Sequence, residues 1–278
     1  MLQELYERYK ESLSKSDHRI FGFLLEHEQE LHLITSEDIS GNLGISPATI
    51  SRFWAKIGVK NLKELKWSLY QTQTATPLSR INGALSQWGE QDITPDLLIE
   101  RISAYMEKTF RVVTPEMMDR AVDMILQAGR IYLFAADAAA GVGDILTYRL
   151  QRLGILVTPL PTGSQIYDTM INIQKGDLLL LFGYSRLLTE VQILLSYSQQ
   201  AGCSSILFTD LMAHEALSSA DLILYSYRGE PNDYHSMGAP VILTDMLIMK
   251  IIQAMGGGLD KAKKLETLRK QYASLLQR

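Results

Sequence analysis

Five short apolar bursts fall between residues 131 and 226: IYLFAA (131–136), ILVTPL (155–160), DLLLLFGY (177–184), SILFTD (205–210) and DLILYS (221–226). A strand with one wet face alternates polar and apolar residues; these are apolar nearly throughout, so each is covered on both faces. Helical stretches such as 142–153 and 190–200 separate them. Continuous strands alternating with helices confine the region to a doubly wound α/β fold with a parallel sheet. Gly129, Gly154, Gly176 and Gly202 each stand just before a burst, where the preceding helix calls for a left-handed cap. LFGYSRLLTE (181–190) marks the handover from a strand to a loop. It offers Gly183, Ser185 and Thr189, interrupted by Arg186, Leu187 and Leu188.

The chain has 278 residues, enough for two domains with a real core in the larger. Hydrophobic residues make up 46% and charged residues 21%, which excludes a disordered chain. A formal net charge of -4 argues against polyanion binding by the whole molecule but leaves a local basic face open. The single cysteine, Cys203, excludes an intrachain disulfide framework and a cysteine metal cluster, and suits a reducing cytosol. The opening MLQELYERYKESLSK is charged throughout and lacks the apolar core of a signal peptide. Runs such as 178–182 are far too short to span a bilayer. The expectation is a cytoplasmic protein with no membrane partner.

Residues 1–71 read as short capped helices. TQTATP (72–77) reads as a linker, and residues up to 119 as connecting helices, with Leu97, Leu98, Ile102 and Tyr105 at helical spacing and a new helix beginning at Thr114-Pro115-Glu116. Residues 120–258 carry the sheet. Residues 259–278 form a basic amphipathic helix expected to pack its stripe of Leu265, Leu268, Tyr272 and Leu275.

The sharpest local signal is TSEDISGNLGISPATISRFWAKIGVKNLKELK (35–66). Thr35 or Ser36 caps a first short helix, with Glu37 and Asp38 in its first turn, and Gly44 breaks it. Ser46 caps a second, with Pro47 at its first position; Ile50, Phe53 and Ile57 form its buried face and Gly58 ends it. Two short helices around a glycine turn make a helix-turn-helix, whose second helix enters the major groove by its N-terminal end. There the chain presents Ser46, Pro47, Ala48, Thr49, Ser51 and Arg52. Small residues permit close approach, hydroxyls reach bases or phosphates, and an arginine reads guanine. Lys56, Lys60, Lys63 and Lys66 follow at positions suited to phosphates. Trp54 reads as a packing residue.

ISPATISRF (45–53) and IGVKNLKELK (57–66) resemble the N-terminal domain of the RpiR family of bacterial transcriptional regulators. That family usually has a glycine where Asn61 stands; asparagine also tolerates a left-handed backbone. The resemblance implies a C-terminal sugar isomerase (SIS) domain that senses a phosphorylated sugar. Residues 130–154, 176–191, 201–210, 220–226 and 236–247 are similar to one in order and spacing.

In the family the first ligand loop runs Gly-x-Gly-x-Ser. Here those positions are Ala135, Asp137 and Ala139, so the hydroxyl is gone and a carboxylate has entered. The second loop runs Ser-x-Ser-Gly-x-Thr in the family. Here Gly183, Ser185, Arg186 and Leu188 stand there, followed by Glu190. Three readings follow for this pocket: a phosphosugar held through Ser185, Arg186 and backbone amides; another small polar ligand, with Asp137 accepting from it; or a vestigial pocket in a dimerisation domain.

The expected function is a DNA-binding transcriptional regulator, a homodimer or homotetramer on a double-stranded operator, with a sugar or sugar phosphate as effector. Half-sites about 34 Å apart match successive major grooves. The alternatives are a ligand-blind DNA-binding protein and, further off, a sugar-phosphate isomerase. Glu230 and His235 are candidate acid–base residues for the last, but the eroded loops and the DNA-reading half weigh against an enzyme. Ser185, His235 and Asp245 lack the surroundings of a nucleophile elbow. The five histidines, His18, His27, His32, His214 and His235, show no metal-ligand spacing, and no cofactor is expected.

Overall fold

The computed structural model describes all residues except 1, 29–30, 32–33, 67–76, 89–91, 213, 231–233, 257, 259 and 276–278. Most of the expected linker at 72–77, together with His32, therefore lies outside the described residues. The chain forms two compact units: Met1–Pro95 with the short segments Met212–Glu215 and Gly229–His235, and the remainder.

The first unit is helical. α1 (Leu2–Tyr9), α2 (Lys15–Glu26), α3 (Ser36–Leu43) and α4 (Pro47–Lys56) are followed by a helical turn at 62–66 and by α5 (Pro77–Trp88). Each helix start from α2 to α4 is closed by a hydroxyl: Ser14, Thr35 and Ser46 accept from the backbone three residues on, the first two in complete capping boxes. Gly44 takes φ 62, the left-handed turn that separates α3 from α4. Ile20, Phe21, Leu24, Ile39, Ile50, Phe53, Trp54 and Ile57 form the core. Its rings pack edge-on, with Phe21 and Phe53 centroids 5.3 Å apart and Phe53 and Trp54 4.8 Å apart. Trp54 is a packing residue, 3% exposed.

The second unit opens with α6 (Pro95–Phe110) and α7 (Pro115–Gln127), so residues 96–119 belong to the α/β unit. Thr114 caps α7 by accepting from the Met117 N–H, and its face of Met118, Ala121, Val122 and Ile125 is buried. There follow β1 (Ile131–Phe134), α8 (Ala139–Arg152), β2 (Val157–Pro159), α9 (Ile166–Met170), β3 (Leu178–Gly183), α10 (Thr189–Ala201), β4 (Ser204–Thr209), β5 (Leu222–Tyr225), α11 (Gly238–Met255) and α12 (Asp260–Tyr272). The strands form one parallel sheet in the order β2-β1-β3-β4-β5, with Leu133 level with Leu180 and Leu180 with Ile206. Every residue of β1 and β3 is buried, as expected for a sheet covered on both faces. α11 packs with α7 and α8, while α10 packs on β3 and β4.

By length and composition α11 matches a membrane-crossing helix, but Ala239, Leu243, Leu247 and Ile251 are fully buried in this unit, as in a core helix. Gly154, Gly176 and Gly202 take left-handed φ values of 81, 90 and 66; Gly129 does not. Ala128 ends α7 in an extended conformation, so no left-handed cap is needed at Gly129. The expected packing of the C-terminal stripe is found only in part: Leu265 is half-buried and α12 touches α8. In α12 and the residues after it, Leu268 is 42%, Tyr272 46% and Leu275 76% exposed, and α12 buries no residue.

Candidate functional site

The outward face of α4 carries Ala48, Ser51 and Arg52, all exposed, with Ser46 and Pro47 exposed at its start and Thr49 half-buried. The Thr49 hydroxyl lies 3.1 Å from Ser46 Oγ and accepts from Arg52 Nη2 at 3.2 Å, while Arg52 Nε donates to the Ala48 carbonyl at 3.4 Å. Arg52 is thus held along the first turn of its own helix. Arg19 Nη2 on α2 donates to the Leu43 carbonyl at the end of α3 at 2.7 Å, and Ser40 Oγ on α3 donates to the Ile45 carbonyl in the turn before α4 at 2.8 Å.

The lysines divide. Lys60 and Lys63 are exposed. Lys56, expected to face phosphates, places its ammonium 2.8 Å from Asp17, whose residue is only 5% exposed. Burial raises the Asp17 carboxyl pKa, but the bonds from Lys56 and Ser14 outweigh it and hold the value below the ordinary range. Lys66 is half-buried. It donates to the Ile34 carbonyl at 2.6 Å, and burial pushes its pKa down to about 8, with the Asp38 charge opposing the fall. Asn61 is not left-handed; its side chain accepts from the Glu64 N–H at 2.9 Å and starts the turn at 62–66.

In the α/β unit, the two candidate loops leave the carboxyl ends of β1 and β3, on either side of the point where strand order reverses. Asp137 and Ser185 are, among the described residues, the non-glycine positions with left-handed φ, 53 and 65. The first loop closes on itself: the Ala139 and Ala140 N–H groups donate to the Ala136 and Asp137 carbonyls at 3.1 and 3.2 Å. Gly143 brings α8 down on β1, where an added Cβ lies 2.8 Å from that of Ala135.

The second loop is built differently. Leu188, at the N-cap of α10, makes no side-chain cap hydrogen bond to the first N–H groups of that helix. Arg186 and Asp137 meet across the two loops at 3.8 Å, both 74% exposed. Leu187 folds back over Gly183 so closely that a Cβ there lies 2.6 Å from its Cδ2. Glu190 turns aside and accepts from the Gly163 N–H at 3.1 Å.

Reading the sequence passed over the residues beneath this loop. Asp210, just past β4, accepts from the Ser185 N–H at 2.6 Å. Arg228, past β5, donates to Asp210 Oδ2 at 3.1 Å and to Ser185 Oγ at 3.2 Å, with its guanidinium 5.0 Å from the Tyr184 ring centre. Asp210 follows an apolar strand directly and Arg228 stands three residues past another, and that placement is the signal the sequence offers. His235 Nε2 is bonded to the Glu230 carbonyl at 3.0 Å.

The capped helical pair and the parallel-sheet unit define the class: a helix-turn-helix transcriptional regulator carrying a SIS domain. Residues 1–76 match the helix-turn-helix domain, rpiR family, and residues 124–250 match the SIS domain. The chain thus carries an rpiR-family helix-turn-helix domain followed by a SIS domain. It is 22% identical over 262 residues, 91% of this chain and 92% of the relative, to the uncharacterized HTH-type transcriptional regulator YfhH of Escherichia coli K12. Among solved structures, the NanR protein of Vibrio vulnificus complexed with ManNAc-6P is 20% identical, covers 100% of this chain and 99% of its own, and gives a TM-score of 0.61. The sugar isomerase domain of an RpiR transcription factor from Sphaerobacter thermophilus is 22% identical, covers 63% of this chain and 96% of its own, and gives 0.56.

Proposed function

We propose that this regulator senses a small sugar-type metabolite, foremost a phosphosugar, at the second loop, and that occupancy controls operator binding. The observation that carries the reading is the uncapped start of α10 beside Ser185 and Arg186. A helix N-terminus without a side-chain cap favours an anion through its N–H groups and its dipole. Asp137 would repel that anion, but Arg186 partners its carboxylate and is itself exposed enough to re-aim. The first loop, closed by its own carbonyls, serves as the wall that faces sugar hydroxyls. The Vibrio vulnificus relative in complex with ManNAc-6P supports this ligand class.

Ser46, Pro47, Ala48, Thr49, Ser51 and Arg52 face the major groove in this proposal, with Lys60 and Lys63 toward phosphates. Two such heads, brought together in a cytoplasmic homodimer or homotetramer, meet a two-fold operator. The protein is a sensor rather than an enzyme, in line with relatives named as transcriptional regulators. A second reading, a ligand-blind regulator, draws support from Leu187, which fills the space over Gly183.

The test is a melting-temperature panel with hexosamine 6-phosphates, sugar 6-phosphates, their unphosphorylated parents and inorganic phosphate. It is followed by DNA affinity, with and without each binder, on a duplex selected from a random pool. Only a ligand of the folded state raises the melting temperature. A phosphosugar that does so and shifts DNA affinity supports the proposal. A response confined to unphosphorylated compounds changes the ligand class, and silence across the panel favours the ligand-blind reading.

A further inference from the structure

Arg228 and Asp210 are 5% and 8% exposed, and they form a closed ring with Ser185. Asp210 accepts from the Ser185 N–H, Arg228 donates to the Ser185 hydroxyl oxygen, and the two charges pair at 3.1 Å. A left-handed serine costs about 1–2 kcal/mol and persists only where its surroundings over-determine it. A buried ion pair is a poor source of stability, since desolvation offsets most of the attraction; fixing one geometry is its better-attested use. The ring fixes the backbone of the loop at Ser185.

The segments on the other side of this arginine are anchored to α6, the helix through which the chain enters this unit. Its neighbour Tyr227 donates its N–H at 3.0 Å to the hydroxyl of Thr109, which is fully buried and donates in turn to the Tyr105 carbonyl at 2.8 Å. The Tyr227 ring lies edge-on to Tyr105, centroids 5.1 Å apart, with Lys108 Nζ 4.3 Å from its centre. Arg228 Nε donates to the Ser236 carbonyl at 3.3 Å, and the Ser236 N–H donates back at 3.0 Å. Two residues on, Gly238 packs so tightly against α6 that a Cβ there lies 2.6 Å from Ile102 Cδ1. Arg228 is therefore one hydrogen bond from Ser185 and one residue from the segment that grips α6.

We propose that Arg228 is a positioning residue that holds the Ser185 loop in its left-handed form and makes α6 respond to the state of that loop. The proposal rests on the effector reading only for what occupies the loop. A ligand acts through this device if it binds the two loop states with different affinity.

The test is amide hydrogen exchange on the full chain without ligand, for the wild type, Ser185→Gly, Thr109→Val and the double variant. Ser185→Gly removes the hydroxyl that Arg228 holds while keeping the left-handed backbone accessible. It should speed exchange of amides 99–110 at least about twofold, the size expected for residues in one network. Thr109→Val should speed exchange at 184–188 likewise, and the double variant should fall short of the product of the two single effects. Unchanged exchange in the distant segment, or a double variant equal to that product, overturns the proposal, because two separate packing roles give independent effects. Arg228→Lys, which keeps the charge but loses the fork, should speed exchange in both segments. If that variant does not fold, the Ser185 and Thr109 pair still decides. Because no ligand is added, a silent effector panel would count against the effector reading alone.

Discussion

Lys56, the last residue of α4, places its ammonium 2.8 Å from the carboxylate of Asp17, which belongs to the capping box that starts α2. One ion pair thereby ties the end of the second helix of the DNA-reading motif to the start of the helix behind it. Removing one partner of a buried or half-buried pair leaves the other without compensation.

Lys56→Ala should therefore act on stability more than on DNA contacts. The expected loss is about 1 kcal/mol, reduced from a fully buried pair because the lysine side chain is 38% exposed. Asp17 has a depressed pKa, so its contribution is complete at neutral pH and lost as pH falls through the folded value. Urea titration at pH 7 and again near pH 3 should show the wild-type advantage shrink in acid. Lys63→Ala should behave in the opposite way, leaving stability unchanged and reducing the salt slope of DNA binding by about one. Equal salt slopes for Lys63→Ala and wild type would remove Lys63 from the interface.

Arg52→Ala is expected to cost roughly 1–3 kcal/mol of specific binding and to relax preference at one base position. Competition between a selected duplex and scrambled DNA measures both. Since Arg52 is held by Thr49 at 3.2 Å, Thr49→Val should give a smaller loss in the same direction. Undiminished discrimination in Arg52→Ala would assign base reading elsewhere on α4.

Ser46 is placed to cap α4 and to meet DNA, and two substitutions separate the roles. Ser46→Ala removes the acceptor for the Thr49 N–H, 3.3 Å away, and should cost about 1 kcal/mol of stability. Ser46→Asp keeps the cap but brings a carboxylate toward phosphates, so stability should hold while DNA affinity falls. Anisotropy titration beside thermal melting distinguishes these outcomes; intact affinity in Ser46→Asp would place phosphates away from that end of the helix.

Lys66 provides the pH test. Its folded pKa of about 8 lies below the unfolded value of about 10.4. Between those values the unfolded chain binds more protons, so stability rises with pH across that window, by at most about 3 kcal/mol. Lys66→Met lacks this increment. The wild type should gain melting temperature relative to the variant from pH 7 to pH 9, with DNA affinity the same for both. A constant difference between the two proteins would mean that the lysine titrates in its ordinary range.

The sequence by itself determined the elements and their class. The apolar bursts became β1 to β5 with ends shifted by no more than two residues, because a strand covered on both faces needs an uninterrupted apolar run, and that requirement is local. The caps at Ser46 and Thr114 were legible for the same reason: donor and acceptor lie three residues apart. The exposed face of α4 followed from helical period alone.

Tertiary structure decided the partners of the charges. Lys56, Lys63 and Lys66 look alike in a basic run, yet one pairs with Asp17, one is exposed and one is half-buried against Ile34. Asp17 and Ile34 are 39 and 32 residues away along the chain, and no period or motif links such distances. The exposed stripe in α12 shows the converse, since an amphipathic pattern specifies a face to cover but not what covers it. Ser185 is the fullest case. Its left-handed backbone depends on Asp210 and Arg228, which arrive from the ends of β4 and β5 only once the parallel sheet has brought three strand ends side by side.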